Sequence, residues 1–246
     1  VPLTAQELPK KKQYDQWQFW TSLNSTLRIS QHWGMIADVH IRRDDFVREP
    51  NFYFARVGGA YWINDEFSTV AGVAALWLAT DTEIGRQFAL ERRTYQQILW
   101  RSKNGRITFL QRIRIEQRWH EVLNRMDGEV DRVRFSNRFR FLMSAKVKLF
   151  EDSKFPSAVI ANEILFHIGK EIVYNTFDQN RLFLGLNQKL SKYLSMDFGY
   201  MMVYQQRYSG FEYNMNHTAR LFFYFSPDFR KKVKENLPHY PVGGIE

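Results

Sequence analysis

The chain contains no cysteine, which excludes disulfide staples, thiolate metal sites and a cysteine nucleophile. Long apolar runs are missing as well. The longest, "TVAGVAALWLA" at 69–79, has eleven residues, whereas a helix needs about 20 to span a bilayer, so helical membrane insertion is excluded. Mean hydropathy is −0.46, that of an ordinary soluble protein. The opening "VPLTAQELPKKK" has none of the charged start, apolar middle and small-residue cleavage site of a secretory signal, so the numbering is expected to begin at a processed mature end. There is no GxSxG elbow, metal-spaced histidine pair or phosphate loop, and no Gly/Ser-rich linker.

What the sequence does have is alternation. Leu182, Leu184 and Leu186 oppose Arg181, Phe183, Gly185, Asn187 and Lys189, and Leu194, Met196, Phe198, Tyr200 and Met202 oppose Ser195, Asp197, Gly199, Met201 and Val203, the period of a strand with two unlike faces. Ile107, Phe109, Ile113 and Ile115 stand against Arg112, Arg114, Glu116 and Arg118. Val133, Phe135, Phe139, Phe141 and Met143 stand against Arg134, Ser136, Arg138 and Arg140. Further runs lie near 16–30, 32–43, 51–64, 66–79, 86–101, 157–168 and 214–225, making eleven in all. Links at 64–65, 102–105 and 190–193 are short, and those at 43–51, 120–130, 145–156 and 169–179 are longer, which suggests short turns at one end of a barrel and long loops at the other.

Alternation alone does not say which face is inside. The amount of ionic surface does bear on it, because an arginine facing mid-bilayer costs roughly 2–4 kcal/mol and must therefore point into a lumen. Runs of ten to fourteen residues exceed the usual five or six of globular strands. Trp17, Trp33, Trp62, Trp77, Trp100, Trp119 and Tyr193 sit near run ends, as interfacial girdles require. The expected fold is all-β: an antiparallel, up-and-down transmembrane β-barrel over 16–225. The even-number rule of bacterial barrels raises the eleven runs to about 12 strands. Residues 1–15 form an N-terminal extension and 226–246 a basic periplasmic C-terminal tail, which carries Pro227, Pro238 and Pro241 and is expected to dock on the barrel rim or a partner.

The stretches "FDQNRLFLGLNQKLSKYLSMDFGYMMVYQQR" and "NMNHTARLFFYF", with "RIRIEQRW", "RVRFSNRFRF" and "ANEILF" upstream, resemble a bacterial outer-membrane β-barrel family known as domain of unknown function 2490. The likeness runs over roughly 16–225 and is most specific at Asp178, Gln179, Asn180, Arg181 and at Gly199, Tyr200, Met201. It implies the fold and a bacterial outer-membrane location, and it supplies no reaction or catalytic residues.

The functional expectation is a non-enzymatic scaffold or accessory subunit of an envelope protein complex, in contact with outer-membrane lipid and lipopolysaccharide, with no cofactor and no metal. The alternatives are a passive channel favouring small anions and, third, a membrane enzyme acting on lipid or lipopolysaccharide. A lumenal ionic network is expected from Arg112, Arg114, Glu116, Arg118, Arg134, Arg138, Arg140, Glu163 and Arg181. A partner contact is expected from the tail residues Arg230, Lys231, Lys232 and Lys234. The net charge of +9 does not imply nucleic acid, since the basic residues lie in alternating strands and the tail rather than in a recognised motif. Weaker candidates are Glu163 with His167 on one strand face, Ser136 with His217 across the lumen, and Asp178 with Arg181 bracing a loop-to-strand junction.

Overall fold

The computed structural model describes residues 10–152 and 154–230. Every regular element in them is a strand: β1 (Lys12–Arg28), β2 (Trp33–Asp44), β3 (Glu49–Trp62), β4 (Phe67–Thr82), β5 (Gly85–Asn104), β6 (Ile107–Leu123), β7 (Val130–Lys148), β8 (Ser157–Ile168), β9 (Phe177–Lys189), β10 (Leu194–Gln206) and β11 (Glu212–Phe225). They close into one barrel in which each strand pairs antiparallel with its neighbours in sequence. The exception is the seam, where β1 and β11 run parallel from Lys12↔Glu212 to Ser25↔Phe225.

The eleven alternating runs are thus the eleven strands, and the expected count of about 12 is corrected. An odd number of crossings brings the last strand back in the direction of the first, so the two can close the sheet only as a parallel pair. β1 also begins at Lys12, ahead of the expected start at residue 16.

One register row fixes the geometry of the wall. From Arg134 on β7 it passes through His120, Glu91, Leu76, Phe54, His40, Ser22, Phe222, Asp197, Asn187 and Ser157, and it returns to β7 at Lys148, a stagger of 148 − 134 = 14 residues. With a rise of ~3.3 Å and a strand spacing of ~4.8 Å, that stagger tilts the strands by roughly 40°.

The mouth at which β1 begins, here the first mouth, carries the links 45–48, 83–84, 124–129, 169–176 and 207–211. The second mouth carries 29–32, 63–66, 105–106, 149–156 and 190–193. Two- and eight-residue links occur at both mouths, so the expected separation of short turns from long loops does not hold. The loop at 149–156 stands among the short turns, because alternation locates a link without saying on which end of the barrel it falls. Three register shifts, at Arg42/Arg43, Val122/Leu123 and Leu165/Phe166, all lie toward the first mouth, where bulges re-aim side chains at a barrel rim.

The two faces differ in kind. Outward positions carry Val39, Ile41, Val57, Val73, Ile98, Ile113, Phe141, Ile160, Leu184 and Phe198, all exposed. Trp17, Tyr53, Trp77 and Trp119 stand on the outer wall toward the first mouth, and Trp33, Phe67 and Trp100 toward the second. Trp62 departs from the expected girdle: it turns inward, buried beneath the Arg28 guanidinium at 4.8 Å.

Inside, apolar clusters gather around Phe183, Met201 and Phe222 and around Ile36, Tyr95 and Leu99. Leu110, on β6 between the two, packs against both, and the near-complete burial of Phe183, Met201, Phe222, Ile36 and Leu99 shows the lumen filled toward the second mouth. Two cross-strand glycine pairs lie beneath inner rings. A Cβ on Gly58 or Gly72 would meet the Tyr95 hydroxyl, and a Cβ on Gly185 would meet the Phe183 ring, so glycine is what lets the rings lie against the wall.

Candidate functional site

The inward positions of β5 to β9 between the apolar layer and the first mouth are almost all ionic. Alternation on β6 aims Arg112, Arg114, Glu116 and Arg118 at the lumen, and the neighbouring strands add Glu91 and Arg93, Arg138 and Arg140, Glu163, and Asp178 and Arg181. The carboxylates act as nodes. Glu163, fully buried, accepts from Arg112 at 2.6 Å, Arg140 at 2.8 Å and Arg181 at 3.4 Å. Glu116 accepts from Arg138 at 2.5 Å and Arg140 at 3.0 Å, with Arg114 at 3.6 Å and Arg93 at 3.8 Å. Glu91 holds Arg93 at 2.5 Å and Arg118 at 2.8 Å, and Asp178 holds Arg138 at 3.3 Å.

Arg140 bridges Glu116 and Glu163, which makes one network of these groups rather than a set of pairs. Charge-assisted bonds from planar guanidinium forks are the strong kind. Shared acceptors offset the several kcal/mol that each ion costs to desolvate.

Of the residues expected in the lumenal network, eight are in it. Arg134 lies on the same inner face but toward the first mouth, half-buried and stacked on the Tyr208 ring at 4.2 Å. Asp178 and Arg181 do not brace the junction as a pair but reach different partners, Arg138 for one and Glu163 with Gln179 for the other. His167 faces inward with Glu163 on β8, and its Nε2 lies 2.6 Å from the Asn175 carbonyl. The pairing of Ser136 with His217 is overturned. His217 faces outward, its Nδ1 2.6 Å from the Tyr200 hydroxyl, while Ser136 is buried inside.

In the tail, Arg230 is tied to Asp228 at 2.5 Å, and that carboxylate holds the guanidinium above its ordinary pKa. The backbone of Phe229 donates to the Arg28 carbonyl at 2.8 Å, so the start of the tail lies on the rim of the second mouth. Lys231, Lys232 and Lys234 fall outside the described residues.

Several inner charges escape the sequence reading. Arg93 is hidden by Arg92, its outward neighbour, since two adjacent arginines give no parity. Asp38 and Arg56, bonded to each other and both buried, are single charges in otherwise uncharged stretches. Arg42 lies between aromatic planes, 3.3 Å from the Trp20 ring centroid and 4.2 Å from that of Phe52, a cation–π sandwich with no local motif.

These side chains frame two joined cavities. The inner one, about 190 Å³, is lined by Arg42, Arg93, Arg118, Arg138, Arg140 and Arg181, with Glu91 as its carboxylate. The outer one, about 440 Å³, shares Glu91, Arg118, Arg138 and Gln205 with it and opens between the links 169–176 and 207–211 at the first mouth. On the outer wall a separate concavity of about 1040 Å³ runs over Ala37, Ala55, Val73, Ala75 and Trp77. At its edge, the Thr94 hydroxyl donates to the Gln117 side-chain amide oxygen at 2.7 Å. No group of three or more histidines and carboxylates among the described residues is placed to hold a metal ion.

A closed sheet with an arginine–carboxylate network inside and apolar side chains on its outer wall defines the class: an all-β barrel of eleven strands. The family described as protein of unknown function, DUF2490, matches residues 17–215, and the chain belongs to it. No curated protein and no solved structure matches the chain.

Proposed function

We infer that the protein is a bacterial outer-membrane barrel that works as a non-enzymatic scaffold or accessory subunit of an envelope complex. The observation that carries this reading is the inverted barrel with a filled lumen. Its buried carboxylates are paired with arginines inside, its outward positions are apolar, and Phe183, Met201, Phe222, Ile36 and Leu99 are almost wholly buried across the section that a solute would have to pass. Even the shortest strands, of twelve residues, rise roughly 30 Å at the tilt above, enough for the ~25 Å apolar band of such barrels. Lipid and lipopolysaccharide then cover the outer wall. The outer concavity, with hydrogen-bonding Thr94 and Gln117 at its edge, supplies a surface for a protein partner. The arginine-lined chamber favours the channel reading, but passage then requires the apolar layer to open.

The test combines location, assembly and conductance. The chain is expected in the outer-membrane fraction, running differently on gels before and after heating, and passing no steady current in planar bilayers. Leu184→Arg, on the outer wall, is expected to impair insertion. Arg112→Ala should leave the barrel inserted, because Glu163 keeps Arg140 and Arg181. The reverse ranking of the two variants, or recovery as a soluble monomer without detergent, refutes insertion. A steady anion-selective conductance refutes the closed scaffold in favour of the channel.

A further inference from the structure

We propose that the chamber at the first mouth is a binding site for a small multivalent oxyanion of the phosphate class. Among the described residues ten arginines and six carboxylates are buried, and the imbalance is concentrated here. Six arginines and one carboxylate line the inner cavity. Counting Arg112 and Arg114 with them, and adding Glu116, Glu163 and Asp178, which hold the arginines from behind, eight cations meet four anions. A confined excess of like charge in a low-dielectric wall draws a counter-anion.

Guanidinium forks match phosphate and carboxylate oxygens two at a time, and arginines from β5, β6, β7 and β9 converge on this space. A cavity of about 190 Å³ has room for roughly six waters at about 30 Å³ each, enough for phosphate or pyrophosphate. Arg42, held between Trp20 and Phe52, carries the positive lining onto the aromatic side of the cavity.

The cavity leads through the outer chamber to the first mouth, past Tyr208 and Ser209, while the fully buried Phe183, Met201, Phe222, Ile36 and Leu99 fill the barrel toward the second. Its lining faces the lumen behind a closed sheet, so the phosphate comes from solution. A lipid headgroup would have to climb over the rim. This site rests on the filled interior alone, not on membrane insertion. A soluble barrel that bound phosphate would end the membrane reading and leave this one standing.

The experiment titrates the whole chain, purified in detergent, with inorganic phosphate and with pyrophosphate by calorimetry. It follows the unfolding temperature in parallel, with sodium chloride at matched ionic strength as the reference and dihexanoyl phosphatidic acid as the lipid arm. The expected result is one saturable site per chain, with pyrophosphate raising the unfolding temperature and chloride leaving it unchanged. Arg42→Gln should weaken binding at least fivefold. Gln205→Glu, which adds a carboxylate to the half-buried lining without removing a network residue, should weaken it at least tenfold and raise the unfolding temperature in anion-free buffer. Gln179→Glu, beside Arg181, is the second charge-adding variant and is expected to do the same. Absence of a saturable site, an equal response to chloride, or undiminished affinity in the folded charge-adding variants overturns the proposal. Binding of the phosphatidic acid alone overturns it too, since the site would then read a lipid headgroup.

Discussion

Glu163 carries more of the interior than its size suggests. It sits fully buried on β8 and collects guanidinium groups from β6, β7 and β9, tying four strands of the wall together. Replacing it with glutamine keeps the volume but leaves three arginines facing a neutral amide. Loss of one partner from a buried ionic group costs about 3–5 kcal/mol, so Glu163→Gln should lower the denaturant midpoint clearly, as read from the heat-modifiable gel band. Glu151→Gln, in an exposed loop pair with Arg106, should change it little, as surface pairs do. Equal effects of the two would mean that the buried network adds no stability.

At the scale of the strand, the glycine pairs make a similar division. A Cβ at Gly199 would run into the Leu184 carbonyl and the Gly185 Cα, while one at the outward Gly59 would meet nothing within 4 Å. Gly199→Ala should therefore cost about 1–3 kcal/mol, the range for overpacking a tight site, and Gly59→Ala almost nothing. Thermal conversion of the folded gel band ranks them, and a neutral Gly199→Ala would show that the wall relaxes there.

The strands were legible in the sequence because alternation with a period of two survives in every run. The inner network was legible wherever charges recur at i, i+2, as in Arg112, Arg114, Glu116 and Arg118. Arg93 was not, because Arg92 points outward to Glu121 and the pair carries no parity. The seam was not legible either: a run records its own two faces and says nothing about which strand it meets. For that reason the rule of even counts displaced a correct count of eleven.

For the molecule as a whole, the parallel seam sets the two ends of the sheet at opposite mouths. Eleven strands leave Lys12 and Phe225 at opposite mouths, so in a membrane the start of β1 and residues 226–230 would belong to different compartments. If the residues after Phe225 face the periplasm, Lys12 and the arginine chamber face the outside medium. Since the chain has no cysteine of its own, single cysteines report this cleanly. Arg125→Cys in the link 124–129 and Lys192→Cys in the link 190–193 mark the first and second mouths. An impermeant maleimide applied to intact cells should label one of the two and spare the other, with both labelled after lysis. Labelling of both on intact cells would mean that the barrel does not separate its mouths. In a membrane each compartment would meet only one mouth, so no single soluble partner could grip both the beginning of β1 and the rim at Phe229, and the two ends of the barrel would be free to serve different masters.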